Sequence, residues 1–334
     1  MARTSRRQAK RGEQYVEDRR GSTGRSGRGT TFGRGGMTTG RRVPGGGKAA
    51  GGLGALIIAV IGLLFGVNLG GGGGTTTVDS PSASGGGAFT IDGPTFGSDT
   101  GDAGGDPNEI ISCDIEVEAC LAALMADTQD VWSALFENAG RQYEFTSMVL
   151  YSGETRTDGC GIGRAAAGPF YCGAPQDQKV YIDVGAMEGL QRSLGAAGDF
   201  AQAYIIAHEV GHHIQTITGI SEQVRALQGQ NPNARNDLSV RQELQADCFA
   251  GVWAYYANQR QGDASTGFVL DPGDTEEAIN AAAAVGDDSI QKRSGYVDPH
   301  TFTHGSSAQR IKWFEQGFNT GNPDTCDTFS VAQP

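Results

Sequence analysis

Ala207-His208-Glu209-Val210-Gly211-His212-His213-Ile214-Gln215 is the stretch on which the reading of this chain turns. It fits the pattern H-E-x-x-H: two imidazoles one helical turn apart, with a carboxylate beside the first. Helical positions four apart share a face, so His208 and His212 can hold one metal ion from the same side. Glu209 is turned about 100° from His208, which sets it beside a water on that ion without making it a ligand. The helix follows independently of the motif. Asp199 is a candidate N-cap with Gln202 three residues on, and Gly219 can end the helix. Ile206, Val210, Ile214 and Ile217 form an apolar stripe roughly opposite the histidines.

A second helix is predicted from Ser239 to about Gln259, opened by a capping box of Ser239 and Gln242. It carries Glu243 and Asp247, again four apart on one face. A hydrolytic zinc site takes three protein ligands and keeps one position for water, so His208, His212 and Glu243 make a complete set for one Zn²⁺ per chain. Asp247, a turn further on, can accept the outer N–H of a ligand histidine and fix its tautomer. A solvated acidic face is the plain alternative. It fits badly with the surrounding Leu244, Ala246, Cys248, Phe249, Ala250, Val252 and Trp253, because acids within an apolar helix need partners.

The 334 residues carry a formal net charge of −12, split unevenly. Residues 1–48 hold 13 of the 26 Lys and Arg against three acids, leaving 13 basic and 35 acidic residues beyond. A basic arm suggests nucleic acid, but the apolar stretch behind it argues against that partner. Leu53 to Leu69 (LGALIIAVIGLLFGVNL) is uncharged; with its glycine flanks it is long enough for one tilted membrane helix over 51–70. A cleavable signal would have a shorter basic head, and a buried core helix would show a polar face. The expectation is a single-pass membrane protein. Residues 1–50 are a disordered basic cytoplasmic arm facing anionic headgroups, 71–108 a Gly/Ser/Thr-rich linker, and 109–334 one extracytoplasmic domain.

Six cysteines all follow the apolar stretch, which suits three disulfides on an exported domain. Nearest-neighbour logic pairs Cys113 with Cys120 and Cys160 with Cys172, leaving Cys248 with Cys326. No C-x-x-C favours a cysteine–zinc cluster. Within the domain a helix is expected from Asp114 to about Asn138, and strands at Tyr143–Tyr151 and Lys179–Asp183. The second strand is a candidate edge onto which a peptide could add. Ile220–Asn236 is expected to be a polar connection between the metal-bearing helices. Asp274 with Glu277 opens another helix, and Ser306 with Gln309 a last one.

His213 lies off the face of His212 and is expected to be structural. His304, in the loop before the last helix, is a candidate for polarising a substrate carbonyl across from Glu209; Tyr255 and Tyr256 are candidates for the same work.

Four segments together resemble the neutral zinc metallopeptidase family of the YpfJ type: H-E-V-G-H-H-x-Q at His208–Gln215, E-L-Q-A-D-C-F-A-G-x-W at Glu243–Trp253, F-Y-C…V-Y-I-D at Phe170–Asp183 and T-H-G-S-S-x-Q-R at Thr303–Arg310. The resemblance covers roughly residues 105–325. Many members look similar at the N-terminus as well, with a basic end and one membrane span. An acid four residues after a glutamate ligand is also similar to the thermolysin-type, or gluzincin, arrangement. It implies an α+β, predominantly helical, zincin-like domain with a small sheet. It further implies His208, His212 and Glu243 on zinc, Glu209 as general base and Asp247 behind the ligands. The function expected is zinc-dependent hydrolysis of a peptide or protein substrate. A catalytically silent, zinc-stabilised binding or envelope-organising protein is the competing expectation.

Overall fold

A helix with one apolar face must bury it, and the depth of burial is set by the smallest residues at the crossing. Three long helices here meet in that way. The structure, a computed structural model, describes residues 3–21, 106, 109–113, 116–187, 189, 200–260, 263, 267–271, 273–293 and 295–334. In chain order its regular elements are β1 (Arg3–Ser5), α1 (Arg6–Gly12), β2 (Val16–Asp18), β3 (Ile110–Ser112), α2 (Val117–Asn138), β4 (Ser147–Tyr151), β5 (Glu154–Arg156), β6 (Ile162–Arg164), β7 (Phe170–Cys172), β8 (Lys179–Asp183), α3 (Phe200–Ile217), α4 (Ile220–Gln230), α5 (Arg235–Gln259), α6 (Asp274–Ala284), α7 (Asp287–Lys292) and α8 (Ser307–Thr320). The class is α+β, mostly helical with small sheets.

The motif helix α3 buries Ile206, Val210 and Ile214, so the stripe opposite the histidines faces the core. The second helix begins earlier than its sequence suggests, at Arg235, and Ser239 lies within it and does not cap it. The mostly polar connection before it is largely helical: α4 forms there, burying Ile220 and Val224. Helix α8 opens with the capping box expected of Ser306 and Gln309, each side chain bonding the other's backbone N–H. Its buried face reads Arg310, Trp313, Phe314, Gly317.

Glycines bring these helices together. A Cβ on Gly251 of α5 would stand 2.1 Å from the Phe314 carbonyl oxygen of α8, and one on Gly317 would stand 1.9 Å from that of Cys248. Between α3 and α5, a Cβ on Gly211 would lie 2.9 Å from the Ala246 oxygen. Backbone therefore packs on backbone at both crossings, and the α3–α5 contact falls between the two motif histidines.

The main sheet has the order β2-β4-β8-β7. The first three strands run parallel (Val149 opposite Glu17 and Tyr181), and β7 is antiparallel to β8. Lys179–Asp183 is thus an interior strand and not the edge expected of it; the edges are β2 and β7. The expected strand from Tyr143 starts only at Ser147. Cysteines are paired as 113–120, 160–172 and 248–326, with Cα separations of 5.2, 5.9 and 5.5 Å.

The N-terminus requires a correction. Composition makes residues 1–50 a disordered arm, yet Arg3–Asp18 fold onto the domain. β1 pairs antiparallel with β3, α1 lies along α2, and β2 pairs with β4. A Cβ on Gly12 would sit 1.8 Å from the Ala122 carbonyl oxygen, so only glycine allows α1 so close. The apolar stretch 51–70 and the expected linker, apart from Asp106, lie outside the described residues. Among the described residues no helix is long and apolar enough to cross a membrane.

Alanine in place of glycine inside a helix is ordinarily favourable by roughly 1 kcal/mol. Gly317→Ala should reverse that sign and cost about 1–3 kcal/mol through overpacking. Urea unfolding of the variant tests this, and an unchanged or raised midpoint would contradict the backbone contact.

Candidate metal centre

Neighbouring helices α3 and α5 present three donors to one point. His208 Nε2 lies 3.2 Å from Glu243 Oε2, and His212 Nε2 lies 3.4 Å from Glu243 Oε1. The donor atoms of His208, His212 and Glu243 all fall within 4.8 Å of one another. Donors about 2.0–2.1 Å from a tetrahedral ion stand roughly 3.3 Å apart, so the set fits zinc. The electrostatics agree. Burial pushes the pKa of His208 down, but Asp247 and Glu243 reverse this and raise it to about 10. His212 is partly buried, which lowers its pKa, but Glu243 outweighs this and raises it. Two imidazoles that attract protons in a buried cleft occupy a negative potential in which a cation is stabilised.

The outer nitrogens are anchored. His208 Nδ1 donates to Asp247 Oδ1 at 2.8 Å, which leaves Nε2 with its lone pair toward the donor cluster. Asp247 is fully buried and holds more than the histidine. Arg310 of α8 donates to it through Nε and Nη2, both at 2.8 Å, and the Tyr204 hydroxyl also donates to Oδ1. Burial favours the neutral acid, but Arg310 and His208 keep the Asp247 pKa below its ordinary value. His212 Nδ1 donates to Gln215 Oε1 at 2.9 Å. The Gln215 amide is oriented in turn: its Nε2 donates to the Gln242 carbonyl (2.7 Å) and to Gln245 Oε1 (3.1 Å). Gln245 Nε2 donates to the Cys326 carbonyl at 3.0 Å.

Glu209 is 8% exposed, and among the described residues its carboxylate has no hydrogen-bond or ion-pair partner. His304 lies in the loop before α8. Asp287 Oδ2 accepts from the backbone N–H groups of Thr303, His304 and Gly305 at 2.7, 2.7 and 3.0 Å, and Asp287 Oδ1 pairs with His304 Nδ1 at 3.1 Å. That hydrogen bond raises the His304 pKa, with a further push from Glu243. Gly305 abuts Leu244 and Val240 of α5, which seats the loop on the turn that carries Glu243. Tyr255 and Tyr256 are twelve and thirteen residues past Glu243, about 18 Å along the helix, and the structure separates them from the centre. His213 is structural: Nε2 donates to the Glu144 carbonyl at 2.6 Å, and Nδ1 accepts from the Tyr171 hydroxyl at 3.0 Å.

Sequence reasoning misses Arg310, Tyr204 and Gln215. Two of them carry legible signals. Arg310 is a charge on the apolar i, i+3, i+4, i+7 face of α8, and Tyr204 stands one turn before His208 on the same face of α3.

Replacing Asp247 by Asn should keep the three ligands but lower zinc affinity 10–100-fold, read by competition with a chromophoric chelator. Unchanged affinity would show that Asp247 does not orient His208. His213 supplies a test by pH. Burial lowers its pKa to about 4 in the folded chain, against about 6.5 unfolded. Between these values only the unfolded chain takes up the proton, so stability falls as pH drops through that window, by on the order of 3 kcal/mol in full. Urea unfolding of the metal-free protein at pH 7 and 4.5 should show this increment, and His213→Gln should remove it.

The family model described as putative neutral zinc metallopeptidase matches residues 5–329. That extends well beyond the 105–325 expected from the motifs. The protein YpfJ of Escherichia coli K12 is 43% identical over 324 residues, covering 96% of this chain and 98% of its own. The protein Rv2575 of Mycobacterium tuberculosis H37Rv is 42% identical over 234 residues, covering 69% of this chain and 74% of its own. No solved structure matches. With the ligand geometry above, these matches place the chain in the neutral zinc metallopeptidase family.

Proposed function

We propose that the protein is a zinc-dependent endopeptidase that hydrolyses peptide bonds, with Glu209 as general base and residues 51–70 holding it at a membrane. The observation that carries this reading is the convergence of His208, His212 and Glu243 near Glu209, a carboxylate with no hydrogen-bond or ion-pair partner among the described residues. A purely structural zinc site has no use for such a carboxylate.

Zinc held by these three side chains would supply Lewis acidity and bring the pKa of a water toward neutrality. Glu209 takes a proton from the water that adds to the scissile carbonyl, then delivers it to the departing amine. Asp247 and Gln215 hold the two imidazoles in the tautomer that turns Nε2 inward. Asp287 holds Nδ1 of His304, leaving Nε2 to donate to the carbonyl oxygen as negative charge develops on it. The substrate is a peptide or protein segment.

Glu209→Gln should retain zinc at one per chain and lower turnover at least 10²-fold. A proteome-scale comparison of new chain ends, wild type against Glu209→Gln, should show a set present only with the wild type. Identical sets would overturn the catalytic assignment.

A further inference from the structure

A backbone carbonyl can only accept a hydrogen bond, so it fixes the sense of any chain of amides that ends on it. Two such carbonyls stand behind His212. That of Cys326 accepts from Gln245 Nε2 at 3.0 Å, which turns Gln245 Oε1 toward the Nε2 of Gln215, 3.1 Å away. That of Gln242 accepts from the same Gln215 Nε2 at 2.7 Å. With both of its N–H bonds committed, the Gln215 amide has only Oε1 left for His212, and it accepts from Nδ1 at 2.9 Å. A proton on Nδ1 leaves the lone pair on Nε2, the nitrogen that faces Glu243. Gln215 and Gln245 are both fully buried. A rotated amide there would set N–H against N–H and oxygen against oxygen, and bulk water does not reach it to take up the lost bonds.

The two carbonyls differ in how they are held. Gln242 lies on α5 itself, three residues before Gln245. Cys326 belongs to the chain that follows α8, 81 residues beyond Gln245, and its place depends on tertiary links. Arg241, Gln245 and Cys248 stand four and three residues apart, in one row along α5, and all three hold that segment. Arg241 Nη1 donates to the carbonyls of Thr328 and Val331 at 2.6 and 2.8 Å, and the Arg241 carbonyl accepts from Thr328 Oγ1 at 2.7 Å. Cys248 is joined to Cys326 by the disulfide, with both residues fully buried. That link is covalent where the others are hydrogen bonds, and it is made by the residue whose own carbonyl ends the amide chain. The other two disulfides, 113–120 and 160–172, bond none of these groups.

We propose that Gln245 is a positioning residue for His212, and that the Cys248–Cys326 disulfide, by fixing the carbonyl on which Gln245 rests, raises the affinity of the centre for zinc. This role requires His208, His212 and Glu243 as ligands but does not require hydrolysis. An imidazole protonated on Nε2 must give up that proton before the same nitrogen takes a metal, so any population of that form lowers the apparent affinity in proportion. Loss of the disulfide frees the Cys326 peptide, leaves Gln245 able to rotate and lets Gln215 follow. The Gln242 carbonyl still opposes that rotation. The effect is therefore about three- to tenfold, below the 10–100-fold typical of a group bonded directly to a ligand. Zinc binding is in this way coupled to one particular cross-link, and not to the disulfides of the chain in general.

The full chain is titrated with zinc against a chromophoric chelator, with no substrate present. Cys248→Ala with Cys326→Ala removes the link; substitution is used because thiols set free by reduction are themselves zinc ligands. That pair and Gln245→Met should each weaken zinc binding about three- to tenfold. Cys113→Ala with Cys120→Ala, which removes a disulfide outside the relay, should stay within about twofold of the unsubstituted protein. Adding Gln215→Met to Gln245→Met should cost no more than Gln215→Met alone, because both act through one imidazole. Cobalt(II) in place of zinc adds a spectroscopic reading. Its visible absorption follows the donor geometry, and should change alike in Gln245→Met and the 248/326 pair but not in the 113/120 pair. Gln245→Met keeps all three disulfides and carries the test if the 248/326 pair fails to fold. Unchanged affinity in Gln245→Met or in the 248/326 pair, an equal loss in the 113/120 pair, or losses from Gln215→Met and Gln245→Met that add in full would each overturn the inference. Unsubstituted protein that takes up no zinc would overturn the ligand assignment along with it.

Discussion

A carboxylate shut away from water must be met by positive charge and hydrogen-bond donors, and Asp247 imposes that demand on three helices. Its own helix, α5, supplies none of them. Arg310 comes from α8, and Tyr204 and His208 come from α3. Removing any one of these leaves charge unsatisfied in the interior, which is expensive in a way that a lost surface pair is not. The same anchor that steadies the core also sets the ring of a candidate metal ligand, so stability and site geometry share one cause.

Small residues make that anchoring possible. Gly211 lies between His208 and His212 and allows α3 to rest on the backbone of α5 at Ala246. Gly251 and Gly317 do the same between α5 and α8. Wider crossings would carry Arg310 away from Asp247, and Glu243 away from the imidazoles. The ligand set therefore depends on backbone contacts that contribute no ligand atoms.

Much of the centre is legible in sequence because it is periodic. His208 and His212, and then Glu243 and Asp247, are spaced four apart within helices whose apolar residues can be counted, and the Ser306–Gln309 capping box marks the start of α8. What escapes is non-local. Arg310 and Asp247 are 63 residues apart, and nothing near either names the other. The position of Lys179–Asp183 inside the sheet depends on β7 and β4 pairing on its two sides. The N-terminal arm misleads for a related reason. Its Gly- and Arg-rich composition is that of an unfolded chain, and the partners that order Arg3–Asp18 lie a hundred residues and more downstream. Gly12 reads as a helix breaker until the Ala122 carbonyl beside it is known.

The relay from His212 through Gln215 and Gln245 ends on a carbonyl of the peptide at Cys326, 81 residues beyond Gln245. A nascent chain elongated only through α5 already contains both imidazoles and Glu243. It has neither that carbonyl nor the guanidinium of α8 to set their tautomers. During synthesis the centre is thus finished from behind, by segments that emerge well after the residues that could hold the metal.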